Sequence, residues 1–191
     1  VFFLLGTWIL ISAFEGSSEN PSTKIIWAKI QYFPTQNVLP FLVLFVLTYT
    51  GRIRVPFPRW IYALWIIPVI ITGLALTNES HHLIWTGFSP IDPVSRLMVY
   101  YHGWGWWFMQ AWFVVMLLTI VSILIVEMVK STHTRYRWQM RLMLLSILGP
   151  SIGGIVYISN ANPVPGLDWG PVGSMFAILM MTASLFGFKF L

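Results

Sequence analysis

The chain has 191 residues, of which 57% are apolar, 17% aromatic and only 9% charged, with a net charge of +5. Soluble domains carry about 25% charged residues, and a chain this apolar has too little polar surface to cover itself in water. Intrinsic disorder, which needs low hydrophobicity and high charge, is excluded by the same numbers.

The composition is that of an integral membrane protein. The absence of cysteine removes disulfides, thiolate metal sites, iron–sulfur clusters and thiol nucleophiles. Uncharged runs locate the spans, since a bilayer-crossing helix needs about 20 mostly apolar residues. Val1–Phe14 has 14, and because the chain opens inside this run it reads as a span cut at its start. Ile30–Gly51 has 22, with the helix expected to begin near Thr23 and to carry Lys24 and Lys29 in its interfacial turn. Trp60–Asn78 has 19, Leu97–Val126 has 30, Leu142–Leu167 has 26 and Trp169–Phe188 has 20. The expected fold is all-α: a polytopic transmembrane bundle forming a single domain over 1–191. Its six helices are placed at about 1–14, 23–50, 60–77, 103–130, 139–159 and 170–190. In lipid the backbone must be satisfied within helices or closed barrels, and runs without period-2 alternation exclude the barrel.

Charge position gives an orientation. Arg52, Arg54, Arg59, Lys130, Arg135, Arg137, Arg141 and Lys189 fall on one side, and only Lys24, Lys29 and Arg96 on the other. By the positive-inside rule the first side is cytoplasmic. Both ends of the chain then lie in the cytoplasm, and Glu15, Glu19, Glu79, Asp92 and Asp168 lie outside. The remaining acid, Glu127, can pair with Lys130 at i+3. No ionisable residue is expected deep in a span, which argues against a proton pump or ion-coupled transporter. The long outer stretch Asn78–Gly103 is expected to lie over the outer face, with a function or short helices of its own.

The candidate site residues cluster at that outer end. His81 and His82 are neighbours about 100° apart on a helix. They are read as pocket or hydrogen-bonding groups, as pH sensors, or as metal or haem ligands with help from His102. Trp104, Trp106 and Trp107 suit an aromatic belt at the headgroups or the wall of a pocket. Gln110, one turn below, could reach a ligand or a neighbouring helix. Asp168 follows Asn160, Asn162, Pro163 and Pro165 and precedes Trp169-Gly170-Pro171, so it is an N-cap candidate for the last helix as well as a ligand group. Pro68 and Pro150, the latter beside Gly149, Gly153 and Gly154, are sites for kinks, close packing or hinging. The basic stretch Lys130–Arg141 suits anchoring to anionic headgroups. Neither a catalytic constellation nor a phosphate-binding loop is present.

Several motifs carry a family resemblance. They are Gln31-Tyr32-Phe33, Leu39-Pro40 and Leu47-Thr48-Tyr49-Thr50-Gly51 in the second helix, then Ile67-Pro68 and Leu76-Thr77-Asn78-Glu79-Ser80-His81-His82-Leu83-Ile84-Trp85. Tyr136-Arg137-Trp138-Gln139, Gly149-Pro150 and Gly166-Leu167-Asp168-Trp169-Gly170-Pro171 follow in order. The chain resembles the N-terminal seven-transmembrane sensor region of bacterial and archaeal histidine kinases, also found ahead of diguanylate cyclase modules. The Thr-Asn-x-x-His element is the most specific of these motifs.

The resemblance implies a seven-helix domain with an extracytoplasmic N-terminus, of which this chain would be helices two to seven, in a bacterial or archaeal plasma membrane. It implies a sensor or receptor in signal transduction of the two-component type, with no catalysis in this segment. Candidate ligand-binding residues are Asn78, His81, His82, Trp85, Trp106, Gln110, Tyr157 and Asp168, with no metal ligand and no cofactor. The partners are the lipid bilayer, a small-molecule or lipid ligand, a cytoplasmic effector domain or partner subunit, and a second copy in a homodimer; nucleic acid is not among them. The competing expectation is an accessory or structural transmembrane subunit of a membrane complex.

Overall fold

In a computed structural model, residues 1–159 and 162–187 are described; Asn160, Lys189 and the end of the last expected helix lie outside them. Six α-helices run in alternating directions: α1 (Phe2–Ser17), α2 (Pro21–Tyr49), α3 (Ile66–Leu76), α4 (Trp104–Lys130), α5 (Thr134–Ile158) and α6 (Gly170–Phe186). Their apolar sequences form helices, which pair most interior backbone groups locally, as lipid demands. The segments Pro21–Tyr49, Arg59–Leu76, Trp104–Lys130 and Thr134–Ile158 are long and apolar enough to cross a membrane, and α1 and α6 are shorter apolar helices.

Boundaries differ from the expected ones for identifiable reasons. The second helix starts at Pro21 because Asn20 caps it, its side chain accepting the Ser22 N–H at 2.8 Å, and proline suits a first turn whose N–H needs no partner. The third expected helix divides: Arg59–Trp65 is a 3-10 helix and only Ile66–Leu76 is α. Pro68 therefore stands in the first turn of α3 and does not interrupt it, since the N–H that proline lacks has no acceptor within the helix there. Pro150 does lie inside α5, and Pro34 and Pro40 inside α2. The fifth helix begins at Thr134, ahead of the expected 139, because it carries Arg135, Arg137 and Arg141 on turns that extend beyond the uncharged run. Only Ser131–His133 separates it from α4.

Contacts join α1, α2, α4, α5 and α6 into a ring, with α3 packed against α2 and α4. One apolar core lies at the basic end around Val46, Ile61, Ile120, Leu124 and Met140. A second, at the opposite end, gathers Tyr32, Ile71, Ile84, Trp85, Trp106 and Met109. At the basic end Glu127 pairs with Arg52 at 2.9 Å, joining the α2–α3 connection to α4 in place of the expected pairing with Lys130. Gln139 accepts from the Tyr49 hydroxyl at 2.8 Å, and the Ser184 hydroxyl donates to its carbonyl at 3.0 Å.

The stretch between α3 and α4 holds a 3-10 turn, Asn78–Ser80, and an antiparallel hairpin, β1 (Trp85–Phe88) with β2 (Tyr100–His102). Both strands are too short for a clear period-2 signal, which is why the sequence pointed to short helices here. Trp85, Phe88 and Tyr100 pack against the bundle, while Thr86 and Tyr101 face out.

The interface of α5 with α6 is the most extensive between helices. It is made backbone to backbone: a Cβ added at Gly149 would collide with the Gly173 carbonyl, and one added at Gly173 with the Gly149 carbonyl. Small residues permit this approach where no hydrophobic effect drives helices together in lipid. Gly173→Ala should therefore cost about 1–3 kcal/mol of overpacking strain. Gly154→Ala, where nothing lies within 4 Å, should leave stability level or slightly raised. Thermal unfolding in detergent micelles checks the contrast.

Candidate functional site

The end of the bundle that carries the hairpin is built from the C-termini of α1, α3 and α5, the N-termini of α2, α4 and α6, and the loops between them. Its first fixed point is Lys24. The side chain is wholly buried, and Nζ donates to the Glu15 and Gly16 carbonyls at 2.8 and 3.3 Å. Both carbonyls belong to the last turn of α1, where a cation is favoured, and the Glu15 carbonyl also accepts the Ser18 N–H at 3.2 Å. The same ammonium pairs with the Glu15 carboxylate at 3.7 Å, and Glu15 accepts from the Tyr100 hydroxyl at 2.9 Å. Lys24 lies in the first turn of α2, as expected, with its side chain wholly buried in the bundle. The terminal carbonyls of α1 draw the ammonium inward, and burial is offset by its contacts with these two carbonyls and the Glu15 carboxylate.

Lys29 repeats the device on α3. Its Nζ donates to the Leu76 carbonyl at 3.0 Å and to Glu79 at 2.5 Å, and this bond holds the Glu79 carboxyl below its usual range. Arg96, at the far end of the hairpin, pairs with Glu19 at 3.0 Å. Each of the three basic residues on this side therefore has a glutamate.

Asn78, 3% exposed, holds the chain that leads into β1. Its Oδ1 accepts the Ile84 and Trp85 N–H groups at 2.9 and 3.0 Å, and its Nδ2 donates to the Trp85 carbonyl at 3.0 Å. His81 bonds the turn on which it stands: Nδ1 accepts the Leu83 N–H at 3.0 Å, and Nε2 meets the Thr77 hydroxyl at 3.2 Å. His82 adopts a left-handed φ of 54° and is exposed. Neither histidine joins the aromatic cluster, whereas Trp85, Trp106 and Tyr157 all belong to it.

The tryptophans at the start of α4 divide by face. Trp104 and Trp107 are exposed, as a headgroup belt requires, and Trp106 is 5% exposed. Trp106 stacks on His102 with centroids 3.8 Å apart and planes at 10°. His102 Nε2 meets the Tyr157 hydroxyl at 3.1 Å, and its Nδ1 is buried without a partner among the described residues. His102 entered the sequence reading only as an auxiliary ligand; the structure makes it the link between β2, α4 and α5. Gln110 is half-buried one turn beyond Trp106, with no hydrogen bond among the described residues.

Asp168 lies one residue ahead of the position that caps α6, and its Oδ1 accepts the Gly170 N–H at 2.8 Å. Burial pushes its carboxyl up to about 6, with the negative charge of Glu15 adding to the effect. Asn162 organises the same loop, its Oδ1 accepting from Val164 N and from the Trp169 indole at 3.1 and 3.0 Å. Gly166, with φ of 84°, brings the loop against the Met98 backbone, where a Cβ would come within 2.9 Å of the carbonyl. The Tyr32 and Tyr157 hydroxyls lie within electrostatic reach of Asp168, and Tyr100 within reach of both tyrosines. Five oxygen-bearing tips, those of Glu15, Tyr32, Tyr100, Tyr157 and Asp168, thus converge. Tyr32, Tyr100 and Glu15 were not among the expected site residues. Tyr32 was legible only as a motif letter, and the other two needed the tertiary pairing of hairpin with α1.

Two surface depressions lie elsewhere. One of about 580 Å³ is lined by Glu127, Ser131, His133, Arg135, Tyr136 and Gln139. Another of about 400 Å³ follows the α5–α6 seam beside Gly153 and Trp169. Among the described residues no group of three or more His, Asp or Glu converges as a metal would require.

Alternating apolar helices with their buried charges gathered at one end define a polytopic helical membrane protein. The whole chain, residues 1–191, matches the family model described as the N-terminal 7TM region of histidine kinase, and it belongs to that family. That region is a membrane sensor module and not a catalytic domain. No curated protein matches the chain, and no solved structure matches it.

Asn78→Ala leaves two buried N–H groups and one carbonyl unpaired, so it should cost about 3 kcal/mol or more; Asn78→Asp, which keeps the acceptor, should cost less. Chemical denaturation in micelles compares them. The pH dependences of Asp168 and His102 should oppose one another. A carboxyl raised from 3.8 to about 6 favours the folded state at low pH and loses that contribution as pH rises through about 6. Burial lowers His102 from 6.5 to about 4, so its contribution is present above 6.5 and is lost as pH falls towards 4. Asp168→Asn should therefore gain stability relative to the parent as pH rises over that window, and His102→Phe as pH falls. Melting temperatures across the window test both signs.

Proposed function

We propose that the chain is the receptor part of a signalling protein, taking a small or lipid-like ligand at its hairpin end. Asn78, His81, His82, Trp85, Trp106, Gln110, Tyr157 and Asp168 are the residues assigned to that end. The observation that carries this reading is the convergence of the Trp106–His102–Tyr157 stack with the Asp168 carboxyl, where α4, α5, α6 and the hairpin meet. A ligand there touches four elements at once, and it acts by binding one packing of them better than another. Asn78 and His81 serve by shaping the chain into β1, and His82 by its exposed position at the rim.

The hairpin end is assigned to the extracytoplasmic face. Its three basic residues against five acids give a net charge of −2, while eight basic residues and Glu127 give +7 at the other end, the asymmetry the positive-inside rule expects. The effector is assigned to the cytoplasm, with α6 as the output helix because its N-terminus follows directly on the Asp168 loop and its flank locks to α5 through Gly149 and Gly173. The same reading makes the plasma membrane of a bacterium or archaeon its location and a homodimer its assembly.

The test is a signalling reporter driven by the full-length gene product in its own host. Asp168→Ala should reduce the response to stimulus by roughly tenfold, the equivalent of one lost charge-assisted contact, and His82→Ala by less. An unaltered response in both variants would overturn the site assignment.

A further inference from the structure

We propose that the depression where α4 turns into α5 is a seat for an anionic lipid headgroup, held through its phosphate by Arg135, His133 and Ser131. This site is separate from the hairpin end and does not rest on the receptor reading.

The room for a headgroup is a depression of about 580 Å³, lined by Glu127, Ser131, His133, Arg135, Tyr136 and Gln139. Ser131–His133 is the whole turn between two long helices, so both helix ends wall it. Ser131 Oγ accepts the His133 N–H at 3.2 Å, which leaves the hydroxyl hydrogen to donate. The His133 side chain is exposed and makes no capping bond to α5. Arg135 brings a planar fork of donors, the geometry that matches a phosphate.

Charge selects an anion. Glu127, the only acid in the lining, is met by Arg52, whose Nε and Nη2 donate to its Oε1 at 3.2 and 2.9 Å. With Arg135 that makes two guanidinium groups against one carboxylate, and exposed Lys130 and Arg137 stand on either side. A metal ion, which wants several oxygens, finds a single carboxylate already paired.

Depth in the bilayer selects a lipid. One turn into α5 the Arg141 guanidinium lies 4.7 Å from the centre of the Trp138 ring, and Trp138 is exposed, as are Val126 and Val129 at the end of α4. Exposed apolar residues running up to an aromatic ring and a cation mark the passage from acyl chains to headgroups. Gln139, on the same wall, accepts from the Tyr49 hydroxyl and, through its carbonyl, from Ser184. A seated headgroup therefore lies beside the residue that ties α2, α5 and α6 together.

The experiment places the full-length protein in phosphatidylcholine nanodiscs with a rising fraction of phosphatidylglycerol, and follows thermal unfolding by tryptophan fluorescence. The melting temperature should rise saturably with phosphatidylglycerol. R135Q should raise the half-saturating fraction about tenfold, the equivalent of one charge-assisted contact, and H133A a few-fold. R137Q removes the same charge from outside the lining and should raise it only about twofold. Equal losses in R135Q and R137Q, or a rise that never saturates, would overturn the seat and leave only the general attraction of a basic stretch for anionic lipid. If R135Q already melts below the parent in pure phosphatidylcholine, H133A against R137Q decides, and equal losses there overturn the seat. A saturable shift produced by inorganic phosphate in pure phosphatidylcholine nanodiscs would assign the depression to a soluble anion and overturn the lipid.

Discussion

The hairpin end of this protein depends on one buried ammonium. Lys24 stands where α1 stops and α2 starts, and without it the Gly16 carbonyl would lose its donor and the Glu15 carbonyl would keep only the Ser18 N–H. By taking both carbonyls and the Glu15 carboxylate, it closes the α1–α2 corner and holds Glu15 where the Tyr100 hydroxyl can reach it. The hairpin is thereby attached to α1 through a charge rather than through apolar contact. Replacing Lys24 would strand Glu15, and a stranded buried charge is far costlier than a missing surface pair.

The apolar packing around this network differs between the two ends of the bundle. The core at the basic end, from Val46 to Met140, holds aliphatic and methionine side chains that fill space without direction. The core at the hairpin end is aromatic, and its rings meet at defined angles, with Tyr32 perpendicular to Trp85 and His102 flat on Trp106. Directional contacts have fewer equivalent arrangements than aliphatic ones, so a shift of one ring is passed to its neighbours.

The helices were legible in the sequence because lipid leaves the backbone little choice: any long uncharged run must be helical. The runs marked the apolar middles and not the ends, which is why α5 starts five residues before its expected first residue. Local chemistry recovered one end, Asn20-Pro21, and could have recovered it from the sequence had the charge of Lys24 not been taken as a membrane boundary. The hairpin was not legible, since strands of four and three residues show no period. Half the site was named from motif residues; Tyr32, Tyr100 and Glu15 came from pairings separated by up to 85 positions, which local pattern cannot show. Lys24 is the instructive case. Its identity suggested the interface, and only the carbonyls of another helix explain its burial.

The hairpin has one more consequence. An irregular loop is confined to water because its N–H and C=O groups need partners, whereas β1 and β2 pair with each other and Gly103 donates to the Ile84 carbonyl at 2.9 Å. Such a cover needs outside partners only along its two outer edges. The polar tips beneath it then share a medium of low dielectric, where a single charge exerts several times the force it would exert in water. The short ladder is thus an insulator as much as a lid: it keeps solvent from quieting the Asp168 carboxylate, which has no basic partner among the described residues.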